Sequence, residues 1–390
     1  MSKIAVVGGT GSMGRVIVRD LMETAHGHEI IVIGRDKKRI ANALKSYRKK
    51  NVLGRLGDAS HSKALARALK GCKVCINAAQ YELNVNVMRA CIKAKCHYLD
   101  LGGLFHMTRR QLKLHGTFKR AGLLGILGMG AAPGITNMLA WEASKKLDTV
   151  ERVHIRVGGR DFTKAGNEVP LVFAYSIQTL LEEHSKKPMV FERGKFKEVL
   201  PRTGMESYAF PAPIGRLKAL HTLHSEVATL PVSLKKKGIR ACNFKIAFSE
   251  DFEQKVGALA ELGFASLEPI KTRGIYITPM EFSVKVLSRL PKPKTCPVDV
   301  EVLRAEVIGK RKKKQVRVLA DAWAHSSPKW CFYAGDVDTG YPISIAAQMV
   351  ADDLICAAGV FPPELIVPAK PFFRELKERG IRVSMRVGRA

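Results

Sequence analysis

The segment from Ile4 to Gly14 restricts the fold of this chain more than any other. Ile4-Ala5-Val6-Val7 is a short apolar run, and Gly8-Gly9-Thr10-Gly11-Ser12-Met13-Gly14 follows it directly. Gly9, Gly11 and Gly14 satisfy the spacing G-x-G-x-x-G, which carries little weight by itself. Here the run before it reads as a strand and Met13 to Met22 reads as a helix, the setting that gives the spacing a mechanism. Gly9 permits the tight turn, Gly11 lets backbone approach a pyrophosphate, and Gly14 lets helix and strand pack closely. Gly8, Thr10, Ser12 and Met13 complete a turn whose amides face the phosphates of a dinucleotide.

The next hundred or so residues repeat the strand–helix alternation. Strand-like runs at Ile30 to Ile33, Val52 to Leu56, Val74 to Ala78, Tyr98 to Leu101 and Leu123 to Leu127 alternate with helical stretches at Lys37 to Tyr47, Ser62 to Leu69 and Asn84 to Lys93. That pattern predicts an α/β, Rossmann-type doubly wound parallel sheet, with ligand outside the carboxyl ends of its strands. The end of the second strand selects the nucleotide. Arg35 lies where an acid would accept from the ribose of NAD, and its forked donors suit a 2′-phosphate, so NADP is the expected cofactor. Asp36 follows at once and keeps NAD open. Asp58 and Ala59 after the third strand are placed to meet adenine, and Asn77, Ala78 and Ala79 after the fourth to leave room for ribose and nicotinamide.

At 390 residues, 46% of them hydrophobic, the chain has material for two cores. No apolar run is long enough to cross a bilayer, and the N-terminus does not read as a secretory signal, which predicts a cytoplasmic protein. Cys72 and Cys75 form a C-x-x-C, but they lie in a strand-like run without a second ligand pair, so a structural role is expected and no metal site. The 65 basic residues against 35 acidic give a net charge of +30, a field that attracts anionic cofactors, carboxylates and nucleic acid alike. The basic residues are scattered, and no nucleic-acid-binding signature accompanies them. The cluster Arg311 to Lys314, between strand-like runs Val298 to Val307 and Val316 to Ala324, reads as a solvated hairpin tip.

Several further segments resemble the saccharopine dehydrogenase family in its wide sense, which includes lysine 6-dehydrogenase and carboxynorspermidine dehydrogenase. They are His97-Tyr98-Leu99-Asp100-Leu101-Gly102-Gly103, Gly130-Ala131-Ala132-Pro133-Gly134-Ile135-Thr136-Asn137, His221-Thr222-Leu223-His224-Ser225-Glu226, Thr339-Gly340-Tyr341-Pro342, Gly359 to Glu364, and Pro371-Phe372-Phe373. The resemblance implies a Rossmann domain over 1–130, an inserted α+β substrate and dimerisation domain over 131–335, and a C-terminal segment, 336–390, packing back on the first. Ile343 to Ala358 reads as the returning helix. A homodimer is the expected assembly. Many relatives have Asp-Pro-Gly where this chain has Ala132-Pro133-Gly134; the Ala-Pro-Gly form resembles the lysine 6-dehydrogenase branch, although that branch carries an acid where Arg35 stands.

The implied reaction is oxidation or reductive formation of a carbon–nitrogen bond in an amino-acid-like substrate, with the nicotinamide carrying the hydride. Asp100 and Tyr81, near the carboxyl ends of strands, are candidates for orienting or deprotonating the amine. A cap on the Gly102-Gly103 turn is the other role open to Asp100. His224 is the candidate proton shuttle. His221, Ser225 and Glu226 are candidate substrate contacts, with Glu226 suited to an ammonium. Arg216 and Lys218 could pair with a carboxylate. An NAD-dependent lysine 6-dehydrogenase or opine-type enzyme, and a catalytically silent nucleotide-binding sensor, are the alternatives.

Overall fold

The computed structural model describes residues 1–47, 49, 51–164, 169–173 and 175–389. Strands β1 (Lys3–Val7), β2 (Glu29–Gly34), β3 (Val52–Leu56), β4 (Val74–Asn77), β5 (His97–Asp100) and β6 (Leu124–Ile126) are all parallel, in the order β3-β2-β1-β4-β5-β6. The order reverses between β1 and β4, the switch point where such sheets bind ligands. Alternation along β1 and β2 explains why both faces are covered. Ile4, Val6, Ile30 and Val32 pack with Ile17, Val18 and Leu21 of the helix Ser12–Thr24, whereas Ala5, Val7, Ile31 and Ile33 pack with Leu65, Val87 and Met88 on the other side. Cys72, Cys75, Cys91 and Cys96 are buried free thiols within that second cluster.

The second sheet is built from β7 (Thr149–Asp161), β8 (Met189–Glu192), β9 (Lys195–Glu198), β10 (Glu206–Ala209), β11 (Arg216–His221), β12 (Ala241–Phe248), β15 (Asp299–Arg311) and β16 (Lys314–His325), while β13 (Ile270–Thr272) and β14 (Ile275–Ile277) form a separate hairpin. Its pairs are antiparallel except β12 against β7. Lys312 and Lys313, both at positive φ, turn the exposed β15–β16 hairpin, as the charge cluster predicts.

The C-terminal segment serves both sheets. Strand β17 (Gly359–Phe361) pairs parallel to β6, making the first sheet seven-stranded. Strand β18 (Arg382–Arg389) instead pairs with β16, so the end of the chain joins the second sheet rather than returning wholly to the first domain. The returning helix runs Ala334–Ala351, earlier than the expected Ile343 to Ala358. Pro342 suggests a start after it, but the helix begins upstream, where the Asp336 carboxylate accepts the Tyr333 amide and the Ala334 amide donates to Asp299. Cys296 and Cys331, which the sequence reading did not single out, form a disulfide just ahead of that helix.

Arg379 fastens this segment to the first domain: its guanidinium donates to Asp20 on the helix Ser12–Thr24 at 2.8 Å, with both side chains buried. Removing one partner of such a pair leaves an uncompensated buried charge. Arg379→Ala is expected to cost about 3 kcal/mol of stability by that mechanism, read by urea unfolding. A loss below about 0.5 kcal/mol, ordinary for a surface change, would show that the pair does not anchor the segment.

Candidate functional site

A cavity of about 940 Å³ opens between the carboxyl edge of the parallel sheet and the inner face of the second. The first domain contributes Ser12, Met13, Ala78, Ala79 and Tyr81, and the second His224, Ser225, Glu183, Phe244 and Glu301. At the mouth of β1, Gly8 adopts φ +78° and its carbonyl accepts the Gly11 amide at 2.8 Å. A Cβ at Gly14 would overlap that carbonyl, so only glycine lets the helix start so close to the turn. No side chain caps this helix and no acid lies in its first turn. Its leading amides therefore fit a phosphate.

The adenosine end is less tidy than the sequence suggests. Arg35 and Asp36 are both exposed, and Asp36 accepts the Arg39 amide at 3.0 Å, capping the helix Lys37–Tyr47. A smaller pocket of about 270 Å³ is lined by Thr10, Arg15, Arg39 and Ser46 instead. Sequence reasoning passed over Arg15 and Arg39. The signal was helical spacing: Arg39 is one turn past Asp36, and Arg15 lies in the first turn after the glycines. Asp58 accepts both the amide and hydroxyl of Ser60, which holds its carboxyl below the usual range. Asn77 is buried, accepting the Ala79 amide and donating to Asn84, so it shapes the turn while Ala78 and Ala79 face the cavity.

The opposite wall carries the titratable chemistry. The His224 ring stacks on Phe244, 3.7 Å between centroids and 7° from parallel. Its Nδ1 lies 2.5 Å from Glu226, whose other oxygen accepts the Thr136 hydroxyl at 2.8 Å. A carboxylate so held accepts from Nδ1–H and fixes the tautomer, leaving Nε2 toward Glu183 at 3.7 Å. Burial opposes the imidazolium, but Glu226 and Glu183 outweigh it and raise the His224 pKa. Burial likewise raises Glu183, which accepts the Tyr175 hydroxyl at 2.6 Å. Glu183 escaped the sequence reading because nothing in its amphipathic helix distinguishes it from a solvated acid.

Three expectations need correction. Asp100 does not reach the cavity. It is 1% exposed and accepts from the Gly102 and Gly128 amides, the Tyr98 hydroxyl and Gln111, at 2.5 to 2.9 Å. With its oxygens engaged it braces the turn, the other role the sequence left open. His221 lies on the other face of the second sheet. Its strand partner is Lys245, it packs on Gly204, and burial lowers its pKa to about 4, whereas Phe244 and Ile246 on either side of Lys245 line the cavity. Tyr81 lines the cavity, but its hydroxyl donates to Glu182 at 2.7 Å and accepts from Lys186 at 2.8 Å, latching the helix Ile177–Ser185 to the first domain. Burial and then Glu182 raise its pKa.

The remaining candidates divide simply. Ser225 lines the cavity and accepts from the Thr108 hydroxyl at 3.2 Å. Glu226 is fully buried, with its carboxylate against His224 and the Thr136 hydroxyl. Arg216 lines the cavity, whereas Lys218 pairs with Glu250 at 2.9 Å in solvent. Among the described residues, no group of His, Cys, Asp or Glu is placed to hold a metal, and no helix is long and apolar enough to cross a membrane.

Fold and site together define a two-domain dinucleotide-binding protein with its cavity at the switch point of the sheet. Residues 4–126 match the saccharopine dehydrogenase NADP binding domain and residues 130–381 the saccharopine dehydrogenase C-terminal domain. The chain belongs to the saccharopine dehydrogenase family. Among similar proteins, carboxynorspermidine synthase of Vibrio cholerae is 26% identical over 233 residues, covering 56% of this chain and 53% of that protein, so the match spans about half of each. Carboxyaminopropylagmatine dehydrogenase of Synechocystis is 22% identical over 98% of this chain and 96% of its own. The apo saccharopine dehydrogenase (L-Glu forming) of Saccharomyces cerevisiae has the same fold, with a TM-score of 0.76 over the full length of both chains at 16% identity.

The His224–Glu226 contact is testable without substrate. In proton NMR the His224 ring is expected to titrate above the ordinary histidine value of about 6.5. Glu226→Gln removes the charge that favours the imidazolium, so the midpoint should fall. An unmoved midpoint would contradict the assignment.

Proposed function

We propose that this protein is an NADP-preferring oxidoreductase that makes or cleaves the carbon–nitrogen bond of an amino-acid-derived amine, with His224 as its proton-transfer group. The observation that carries the reading is the single cavity bringing the helix start at Ser12 and Met13 together with the imidazole of His224. Gly8, Gly9, Gly11 and Gly14 with the amides beside them would hold the diphosphate. The glycine cradle, which a Cβ would fill, fits that group. The bound nicotinamide supplies hydride acceptance or donation.

The chain's own residues have three tasks. Glu226 keeps Nδ1 of His224 protonated, so Nε2 exchanges the proton. Glu183, also on the cavity wall, is the second station for that proton. Apolar Phe244 and the buried wall around it keep bulk water from the imidazole, which strengthens each of these charge interactions. Arg216 is the cavity's candidate partner for a substrate carboxylate. The expected assembly is a homodimer, a reading supported by the exposed apolar side chains Ile270, Ile275 and Tyr276 of the β13–β14 hairpin.

Two experiments test this reading. A screen of amine donors and keto acids with NADPH and NADH should give turnover, and His224→Gln should lower kcat by about 10²-fold or more while dinucleotide binding persists. Undiminished kcat in that variant would remove His224 from the chemistry. For the nucleotide preference, Arg39→Ala is expected to weaken NADP by about tenfold, the scale of one lost charge-assisted contact, and NAD far less. Arg35→Ala, at an exposed side chain, provides the comparison. Equal losses of NADP and NAD in both variants would reject a 2′-phosphate site here.

A further inference from the structure

Basic residues are scattered along the sequence, but the fold gathers part of them onto one flank. Between Ala59 and Trp141 the chain carries twelve lysines and arginines against two acids, ten of its thirty surplus charges. Neither acid offsets them at the flank: Asp100 is buried in the turn after β5, and Glu82 lines the cavity, where it accepts from Gln178. This segment supplies the helices Ser62–Ala68, Asn84–Ala94, Leu104–Leu112 and His115–Arg120. Leu65 and Ala68 of the first, Val87, Met88 and Cys91 of the second and Phe118 of the last pack on one face of the parallel sheet, against Ala5, Val7, Ile31 and Ile33.

With their apolar sides committed to the sheet, the opposite sides of these helices face solvent as one layer. Lys63 and Arg67 lie four residues apart on the first helix, Arg89 and Lys93 on the second, and Arg110 and Lys113 three apart at the end of the third; all six are exposed. Such spacings stack each pair along one stripe. The helix His115–Arg120 ends in two more exposed cations. Among the described residues, Lys73 alone of the twelve forms an ion pair, with Asp353. The layer also lacks what other partners require, because no large apolar side chain is exposed between Leu56 and Phe162. It has no anchor for a protein interface, no wedge for a bilayer and no ring on which an unpaired base could stack. A second copy of the chain would set cations against cations. A regular array of phosphates matches it. Packed helices lie about 10 Å apart, so the layer spreads its charges over roughly 20 Å or more, a length along which a duplex carries on the order of a dozen phosphates.

We propose that this helix layer is a docking face for double-stranded nucleic acid, held through its phosphates without regard to base sequence. The cations of the layer have no acids beside them, and a phosphate backbone relieves their mutual repulsion. Binding of this kind releases counterions and therefore weakens steeply as salt rises. None of the twelve cations lines the interdomain cavity. A docked duplex leaves that cavity open, and the inference stands apart from the catalytic reading.

Fluorescence anisotropy of the full chain with a labelled DNA duplex tests this. Affinity is expected to fall at least about hundredfold between about 50 and 200 mM salt. A variant combining Arg67→Gln, Arg89→Gln, Lys93→Gln and Lys113→Gln should bind at least about tenfold more weakly, with a slope of log affinity against log salt shallower by about 3. All four side chains are exposed, so the fold is retained. A second variant, Arg311→Gln, Lys312→Gln, Lys313→Gln and Lys314→Gln, removes the same charge at the β15–β16 hairpin and should leave affinity and slope nearly unchanged. Equal losses in the two variants would overturn the proposal, since total charge rather than the flank would then account for binding. So would an absence of binding at about 50 mM salt. Tighter binding to a single strand of the same length, or to phosphatidylglycerol vesicles, than to the duplex would also reject it.

Discussion

The contact between Gly14 and the Gly8 carbonyl is the constraint from which the rest of the molecule follows. Because no side chain stands between helix and turn, the helix Ser12–Thr24 starts directly above the end of β1, with its leading amides toward the edge where β1 and β4 diverge. The main cavity opens at that edge. The second domain adds no competing core there. It places a mixed sheet across the gap and lets two strands and a long helix of the C-terminal segment tie the halves together.

A buried polar network joins distant parts of the chain. The Asn137 amide donates to both Thr229 and Glu364, and Ser233 donates to the other oxygen of Glu364. Three segments distant in sequence thereby meet through fully satisfied groups, which specify a unique arrangement better than apolar contact does. Asp100 does the same work for the turn after β5. His224 differs from these. Its Nδ1 side is satisfied by Glu226 and its Nε2 lies 3.7 Å from Glu183 on the same wall, so this buried network ends at the cavity.

Much of this was legible beforehand, for physical reasons. The short apolar runs of β1 and β2 and the glycine spacing determine local geometry, and both appear in the structure as read. The His224-Ser225-Glu226 cluster was visible because adjacent polar residues ahead of an apolar segment are unusual. Other features depend on tertiary context. An acid at the carboxyl end of a strand serves equally to brace a turn or to meet a ligand, and only the donors around Asp100 decide. His221 was misplaced because register alone settles which face of β11 it joins. Glu301 alternates with Val300 and Val302 in a strand that also carries Asp299, Arg304 and Glu306, so nothing in the sequence pattern separates it from an ordinary solvated position, although it lines the cavity. The start of the helix Ala334–Ala351 was obscured by Pro342, since a proline ring inside a helix looks like its boundary.

The latch at Tyr81 ties two tasks to one rigid rod. Glu182 reaches the loop after β4, where the dinucleotide edge lies, while its chain neighbour Glu183 turns toward His224. Consecutive residues on a helix diverge by roughly 100°, so these carboxylates address different walls yet travel as one body. Any tilt of the segment Ile177–Ser185 that loosens its grip on the tyrosine also changes the spacing at the imidazole. The contact between the two domains and the spacing between His224 and Glu183 thereby rest on the same short helix.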